Sequence, residues 1–175
     1  MPRQLKVEGF VLKKKRILNA DTILTIFTKE MGKMSAVAKG VRTMNSRRAA
    51  HLQTGNLVAI ELSETGSGFY VGSSSLKSGF LTLRTEALQG YVYLALFILD
   101  KILPPQQQEL RIYELTRRFV VSLSQTTTPK AVFQDYIQNL MQTLGYYLSG
   151  SNLESLLDDV EKNIEVRLPR HVIIG

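Results

Sequence analysis

Hydrophobic and polar positions in the first eighty residues follow the two-residue period that is typical of half-buried β-strands. Short runs rich in β-branched residues are separated by turn signals such as Asn19-Ala20-Asp21, Glu30-Met31-Gly32 and Gly66-Ser67-Gly68. The predicted strands cover 7–18, 22–28, 33–41, 56–64 and 69–77. Five short strands with a longer connection at 42–55 predict an OB-like β-barrel, and a small open sandwich remains the alternative.

After residue 83 the apolar positions adopt helical spacing. The first predicted helix is apolar nearly all round, which is typical of a buried central helix, and Pro104-Pro105 ends it. A second helix carries Phe119 on its inward face, a third starts at Thr128-Pro129, and a fourth opens with a capping box at Ser151 and Glu154. The pattern leaves the tail 165–175 undefined.

The two periodicities predict an α+β protein in two parts. A five-stranded OB-like β-barrel would occupy 1–82, and an all-α helical domain would occupy 83–175. No Gly/Ser-rich linker separates them, so we expect the parts to pack together.

The positive charge of the chain is concentrated at one end. The chain carries +7 overall, and residues 1–50 hold twelve Lys and Arg against three Asp and Glu, which is a net +9. The remaining residues are nearly neutral. A basic module joined to a neutral one predicts a face for a polyanion on the first part and a different task for the second.

Nine basic side chains of the predicted barrel are candidate phosphate ligands, because Lys and Arg that neutralise phosphates give salt-sensitive, sequence-tolerant affinity. Adjacent strand positions point to opposite faces, so two cations of the run at 13–16 should face each way unless the strand bulges. Ser46 and Asn45 are further hydrogen-bond donors to phosphate. The nine candidates are Lys13, Lys14, Lys15, Arg16, Lys33, Lys39, Arg42, Arg47 and Arg48.

Aromatic stacking platforms for bases are few in the basic part. Phe27 lies among core-like strand residues, and Phe69-Tyr70 fits core or rim packing as well as it fits an outward ring. Phe10 and Phe80 complete the set. We therefore expect backbone contacts to outweigh base stacking.

The sequence offers little for catalysis or metal binding. It has no cysteine, which excludes disulfides and thiolate zinc sites, and its two histidines, His51 and His171, have no carboxylate arranged beside them in sequence. The glycines at 66–72 do not fit the spacing of a dinucleotide loop, and Gly32-Lys33 lacks the rest of a phosphate loop. We expect no enzyme activity, no cofactor and no metal.

The sequence also bears on location. Its first residues have no apolar signal-peptide core, and the longest apolar run, at 91–99, is about half of what a bilayer-spanning helix needs. We expect a soluble cytoplasmic protein with no membrane partner.

Several segments together resemble the N-terminal OB domain of the bacterial recombination mediator RecO. They are GFVL at 9–12 before a basic strand end, DTILTIFTKEMGK at 21–33, SAVAKGVR at 35–42 and SR at 46–47. Order, spacing and residue types match over about 8–62. The LGY at 144–146 is similar to the family's sequence before its inserted segment.

The resemblance implies a DNA repair and recombination role. It implies an OB domain that binds single- and double-stranded DNA, annealing of complementary strands, and, with RecR, help for RecA on DNA coated by single-strand-binding protein. A location at the bacterial nucleoid follows. Two rival readings remain: an adaptor whose basic end binds acidic protein segments, and an RNA-binding OB module.

This chain departs from the family in its helical part. Many relatives carry a four-cysteine zinc element there, whereas this chain has no cysteine and runs from Tyr147 almost directly to the fourth predicted helix. It resembles a short form without that element. The resemblance also implies docking of the acidic, apolar-ended tail of single-strand-binding protein. The cations nearest an inward apolar stripe are Arg111, Arg117 and Arg118.

Overall fold

Five β-strands close into a barrel in this computed structural model, which describes residues 3–43, 46–79, 83 and 85–173. The spatial order is β1-β2-β3-β5-β4, with all pairs antiparallel except β3 with β5. This confirms the predicted OB-like barrel. The strands are β1 (Arg3–Arg16), β2 (Thr22–Thr28), β3 (Gly32–Ala38), β4 (Leu57–Thr65) and β5 (Gly68–Ser78).

Alternate side chains of every strand fill the barrel interior, as the two-residue period predicts. Val7 of β1 lies opposite Ile60 of β4, and Leu24, Ile26 and Leu62 are fully buried. The interior is therefore a packed apolar core rather than a channel.

A β-bulge at Leu12 interrupts the alternation of β1. Val11 pairs with Ile26 and Lys13 with Thr25, so Leu12 is the extra residue. Before the bulge the odd-numbered residues of β1 face the core, and after it the even-numbered residues do. A one-residue insertion of this kind moves every following side chain to the opposite face.

A one-turn helix, α1 (Arg48–His51), lies in the segment that the sequence analysis treated only as a connection. The buried Asn56 side chain donates hydrogen bonds to the carbonyl oxygens of Ala50 (3.1 Å) and His51 (2.9 Å). Gly55 N–H donates to the carbonyl of Val11 at 2.9 Å. These bonds hold α1 against the bulged part of β1.

The segment 103–109 groups with the barrel rather than with the helices that flank it in sequence. Gln106 N–H donates a 2.7 Å hydrogen bond to the carbonyl of Lys33, and Gln108 Nε2 donates to that of Lys29 at 3.1 Å. Gly32 has φ +71° and lies so close to Gln107 that a Cβ would overlap its carbonyl. Glycine is therefore required at position 32 for both reasons.

The second unit comprises residues 83–102 and 110–175, of which the described ones form four helices. As predicted, α2 is buried on most sides, with Tyr91, Leu94 and Ile98 among its eight buried residues. None of the described helices is long and apolar enough to cross a membrane. The helices are α2 (Glu86–Ile102), α3 (Leu110–Gln125), α4 (Pro129–Thr143) and α5 (Leu153–Ile164).

The first residues of α4 and α5 agree only in part with the helix starts that the sequence predicts. Thr128 and Pro129 occupy the N-cap and first helical positions, but the Thr128 side chain makes no capping hydrogen bond. The capping box at Ser151 and Glu154 was placed one residue early. Asn152 is the N-cap, and its side chain accepts from Ser155 N–H at 2.9 Å while the Ser155 hydroxyl accepts from Asn152 N–H.

The described part of the tail folds against α5 and contains a 3-10 turn at Arg170–Val172. The Arg170 guanidinium lies 2.6 Å from Asp158 and 3.1 Å from Glu161. Two carboxylates on one face of α5 therefore bind the tail. On the same helix, Lys162 lies 4.0 Å from Asp159.

Candidate nucleic-acid interface

The bulge at Leu12 decides which way the basic run of β1 points. Lys14 pairs with the core residue Leu24 and Arg16 with Thr22, so both side chains lie on the interior side of the strand where the barrel ends. Lys13 and Lys15 lie on the opposite face. The run is divided two and two, as strand alternation predicts.

Lys14 and Arg16 line a pocket of about 340 Å³, which we call the barrel-end pocket. Arg42 lines it as well, so the fold brings together three of the nine predicted cations. Among the described residues that line it, none is acidic. The lining residues are Lys14, Arg16, Thr22, Leu24, Val41, Arg42, Ala49, Leu52 and Gln53.

Lys14 is fixed in the pocket by Gln53. Its Nζ donates a 2.6 Å hydrogen bond to Gln53 Oε1, and Gln53 Nε2 donates to the carbonyl of Ala49 at 2.5 Å. Partial burial, together with the nearby positive charge of Arg16, lowers the pKa of Lys14 below the ordinary lysine value. An added phosphate would relieve this repulsion between cations.

Arg42 is held beside the β1–β2 turn. Its guanidinium donates to the carbonyl of Ile17 at 2.5 Å, and its backbone N–H donates to Ala20 at 3.1 Å. Asp21 Oδ1 accepts a 2.7 Å hydrogen bond from Gly40 N–H, which ties the same two loops together. The turn therefore positions Arg42 next to the pocket.

The other cations after β3 have different surroundings. Lys39 Nζ lies 4.8 Å from the centroid of the Tyr70 ring, within cation–π range. Arg48 donates to the backbone carbonyls of Lys39 (2.6 Å), Val71 (3.0 Å) and Gly72 (3.2 Å). Arg47 is exposed. Arg48 thus serves the fold, whereas Lys39 and Arg47 face the surface.

Lys33 lies apart, in a groove of about 390 Å³ along β2 and β3. OB-folds commonly bind their ligands on this face and on the β1–β2 and β4–β5 loops. Here Pro105 and Gln106 line part of the groove, and Lys33 is the one cation among the residues lining it that the structure describes. The basic surface is instead centred on the end of the barrel.

The four aromatic candidates of the barrel that the structure describes do not form a stacking surface. Phe10 and Phe27 are buried, and Phe69 and Tyr70 are half-buried, with the Tyr70 hydroxyl 3.0 Å from the Ser67 hydroxyl. Phe80 and Asn45 lie outside the described residues. Burial of Phe27 confirms its predicted core position.

In the helical unit, Arg118 lines a groove of about 290 Å³ between α3 and α4. Phe119 and Val132 supply apolar lining, and Asp135 lines it as well. Arg117 is directed to Glu114, with 3.4 Å between Nε and Oε2. The third predicted cation, Arg111, is exposed.

With this geometry established, comparison with known proteins gives a consistent picture. Residues 1–78 match the family Recombination protein O N terminal. The "DNA repair protein RecO" of Caldanaerobacter subterraneus subsp. tengcongensis is 27% identical, over 82% of this chain and 59% of its own length. That of Acetivibrio thermocellus is 30% identical, over 81% and 57%. The chain belongs to the RecO family.

The match to RecO proteins covers less of the relatives than of this chain. The RecO of Alkaliphilus metalliredigens is 30% identical over 65% of this chain and 47% of its own length. The chain thus spans about half to three fifths of the length of these three relatives.

This RecO-family chain contains no cysteine, and its described residues include no group of three or more His, Asp or Glu side chains that could hold a metal ion. His51, which the sequence analysis considered unsuited to metal, has its Nδ1 3.1 Å from the carbonyl oxygen of Ser74.

Only three of the nine lining residues of the barrel-end pocket were predicted, and the uncharged ones, Gln53 among them, were missed. Gln53 carries no charge and belongs to no motif, and it reaches Lys14 because α1 is held against the bulged part of β1. No local signal in the sequence indicates that contact.

Proposed function

We propose that this RecO-family chain binds the backbone of single- and double-stranded DNA at the end of its barrel and anneals complementary strands. One observation carries the proposal: Lys14, Arg16 and Arg42 surround a pocket with no carboxylate among its described lining residues. Such a concentration of cations favours phosphates by releasing condensed counterions.

Annealing needs no catalytic group or cofactor in this proposal. The cationic surface offsets the repulsion between the phosphates of two strands, and the base edges stay available for pairing. Lys39, Arg47 and the outward Lys13 and Lys15 extend the positive surface around the barrel. Arg48 contributes by holding the loop that carries Lys39.

Family membership and the helical unit support a proposal for the partners. We propose that the chain acts with RecR to help RecA load on DNA coated by single-strand-binding protein. The groove between α3 and α4 would receive the tail of that protein, because Arg118 can bind its carboxylates and Phe119 its apolar end.

The first test is equilibrium binding across a salt series. A single-stranded DNA, a duplex, an RNA of the same sequence and an acidic peptide are compared. DNA affinity should fall log-linearly with salt, with a slope of about −0.7 to −0.9 per phosphate contact. A flat titration, or tighter binding of RNA or peptide than of DNA, would contradict the proposal.

The second test uses two substitutions on the same strand. Arg16→Gln should weaken DNA binding and reduce the salt slope by about 1. Lys6→Gln should leave both unchanged, since Lys6 lies away from the pocket and 3.5 Å from Glu61. An annealing assay on DNA coated with the cognate single-strand-binding protein then tests whether the chain can anneal strands in the presence of that protein. If DNA binding is normal but the coated strands do not anneal, the function is limited to DNA binding.

A further inference from the structure

The barrel-end pocket has a composition that phosphate binding alone does not require. Its lining includes four apolar side chains, Leu24, Val41, Leu52 and Ala49, of which the first three are buried. Three cations line the same pocket. A phosphate is satisfied by charged and N–H donors and gains nothing from apolar contact. The apolar lining of the pocket therefore points to a ligand that has both an anionic group and an apolar group.

The volume of the pocket limits the size of the ligand that it can hold. A cavity of about 150 Å³ holds one benzene molecule. The barrel-end pocket, at about 340 Å³, is more than twice as large, which suits the one or two fused rings of a nucleobase. One feature provides for the edge of a base: beyond its bonds to Lys14 and Ala49, the Gln53 amide keeps one N–H and one oxygen lone pair for hydrogen bonding.

We propose that the barrel-end pocket takes up one unstacked nucleobase of single-stranded DNA while Arg16 and Arg42 bind the adjoining phosphates. This inference rests on the proposed DNA binding and adds to it. In a duplex, the base would first have to leave its stack and its pair, which costs free energy that a single strand does not have to supply. The pocket therefore gives the protein a preference for single strands that charge alone does not provide.

Two neighbouring alanines of α1 allow a matched test. Ala49 lines the pocket, whereas Ala50 is exposed and does not. Ala49→Leu fills the pocket without changing any charge, and Ala50→Leu adds the same side chain outside it. We expect Ala49→Leu to weaken binding of a single-stranded oligonucleotide at least about fivefold, the change that corresponds to about 1 kcal/mol for one base. Ala49→Leu should weaken duplex binding less than single-strand binding, and Ala50→Leu should bind both forms of DNA as the unmodified protein does.

Abasic DNA gives a second measurement that needs no variant. The unmodified protein should bind an oligonucleotide of abasic sites at least about fivefold more weakly than the normal one at the same salt concentration. Ala49→Leu, or the smaller Ala49→Val if Ala49→Leu melts early, should reduce this difference. A 2-aminopurine base in the normal strand should change fluorescence on binding, and less so with Ala49→Leu.

The results of these experiments distinguish the proposed base binding in the pocket from the proposed DNA binding on which it rests. Equal loss of single-strand and duplex affinity in Ala49→Leu would make the pocket a phosphate site and overturn the base-binding inference. Unchanged affinity in Ala49→Leu, with normal and abasic strands bound equally, would overturn it too. Absence of salt-sensitive DNA binding by the unmodified protein would instead refute the proposed function itself.

Discussion

The guanidinium of Arg48 donates a 2.6 Å hydrogen bond to the backbone carbonyl of Lys39. Two more of its hydrogen bonds reach β5. A side chain that binds one carbonyl directly after β3 and two carbonyls of β5 holds α1 to both strands. Two adjacent arginines in the sequence therefore have different tasks.

Arg48→Gln should destabilise the protein, whereas Arg47→Gln should not. Loss of hydrogen bonds from a charged donor costs about 1.5–3 kcal/mol. For a chain of this size, that corresponds to a decrease in melting temperature of roughly 3–12 °C. Arg47 is exposed, so its replacement should change the melting temperature by little. Thermal melting of both variants checks the prediction, and equal melting temperatures would assign Arg48 to the free surface.

DNA binding should weaken with rising pH because of Lys14. Its lowered pKa means that Lys14 loses its proton below the ordinary lysine value of 10.5, and only the ammonium form attracts phosphate. Affinity for single-stranded DNA should therefore begin to fall at a pH below the one at which ordinary lysines titrate, about 10.5.

Lys14→Arg provides the comparison, since arginine stays charged at these pH values. Its pH profile should be flatter than that of the unmodified protein. Lys15→Arg, on the opposite face of β1, should retain the original profile. Parallel profiles for all three proteins would show that Lys14 does not contribute to binding through its charge.

Asp159 should make the helical unit sensitive to acid. Its carboxylate accepts hydrogen bonds from the N–H of Ser149 (2.8 Å) and of Gly150 (3.2 Å) and from the Ser149 hydroxyl (2.8 Å). The bonds from Ser149 lower the pKa of Asp159 most. The stability from this carboxylate is present above the pKa of the unfolded state and is lost as the pH falls through that of the folded state.

Denaturant unfolding between about pH 2 and about pH 7 measures this effect on either side of the ordinary Asp pKa. Asp159→Asn should be less stable than the unmodified protein at neutral pH, and the difference should shrink toward acid pH. Asp135→Asn, at an exposed position, should retain the pH dependence of the unmodified protein. A stability difference that is constant across this range would contradict the prediction.

Peptide binding in the groove between α3 and α4 should depend on Arg118 and not on Arg117. Arg118 lines the groove, whereas Arg117 pairs with Glu114. Arg118→Glu should weaken binding of an acidic, apolar-ended peptide by about tenfold, the loss expected for a charge-assisted hydrogen bond. Arg117→Glu should have a small effect, and both variants should bind naked DNA normally. A larger loss in Arg117→Glu would place the peptide elsewhere.

The periodicity of the sequence predicted most of the fold. Strand alternation located all five strands, and helical spacing located α2 to α5, because burial of one face determines both patterns. The bulge at Leu12 has no such signature, since Val11 and Leu12 are simply two apolar neighbours in the sequence. The capping box was misplaced because Ser151 and Asn152 are both good N-cap residues.

The candidate site was less predictable. The nine cations were evident from charge, but their grouping depends on contacts between distant residues. Lys14 meets Gln53 across thirty-nine positions, and Arg48 reaches β5 across twenty-three. The composition of the sequence gives the number of cations in the barrel. Only the folded structure shows which of these cations bind backbone carbonyls of the protein and which are available to a ligand.

The segment 103–109 has a consequence for how this barrel can be moved between proteins. The family match ends at residue 78, yet the packing unit is completed only by residues that follow the first long helix. A fragment that stops at residue 82 would leave the Lys33 carbonyl without the Gln106 amide and would uncover Gly32. The stretch that matches the family is thus smaller than the stretch that packs as one unit, and we expect a transplanted barrel to keep its packing at Gly32 only if an equivalent of residues 103–109 accompanies it.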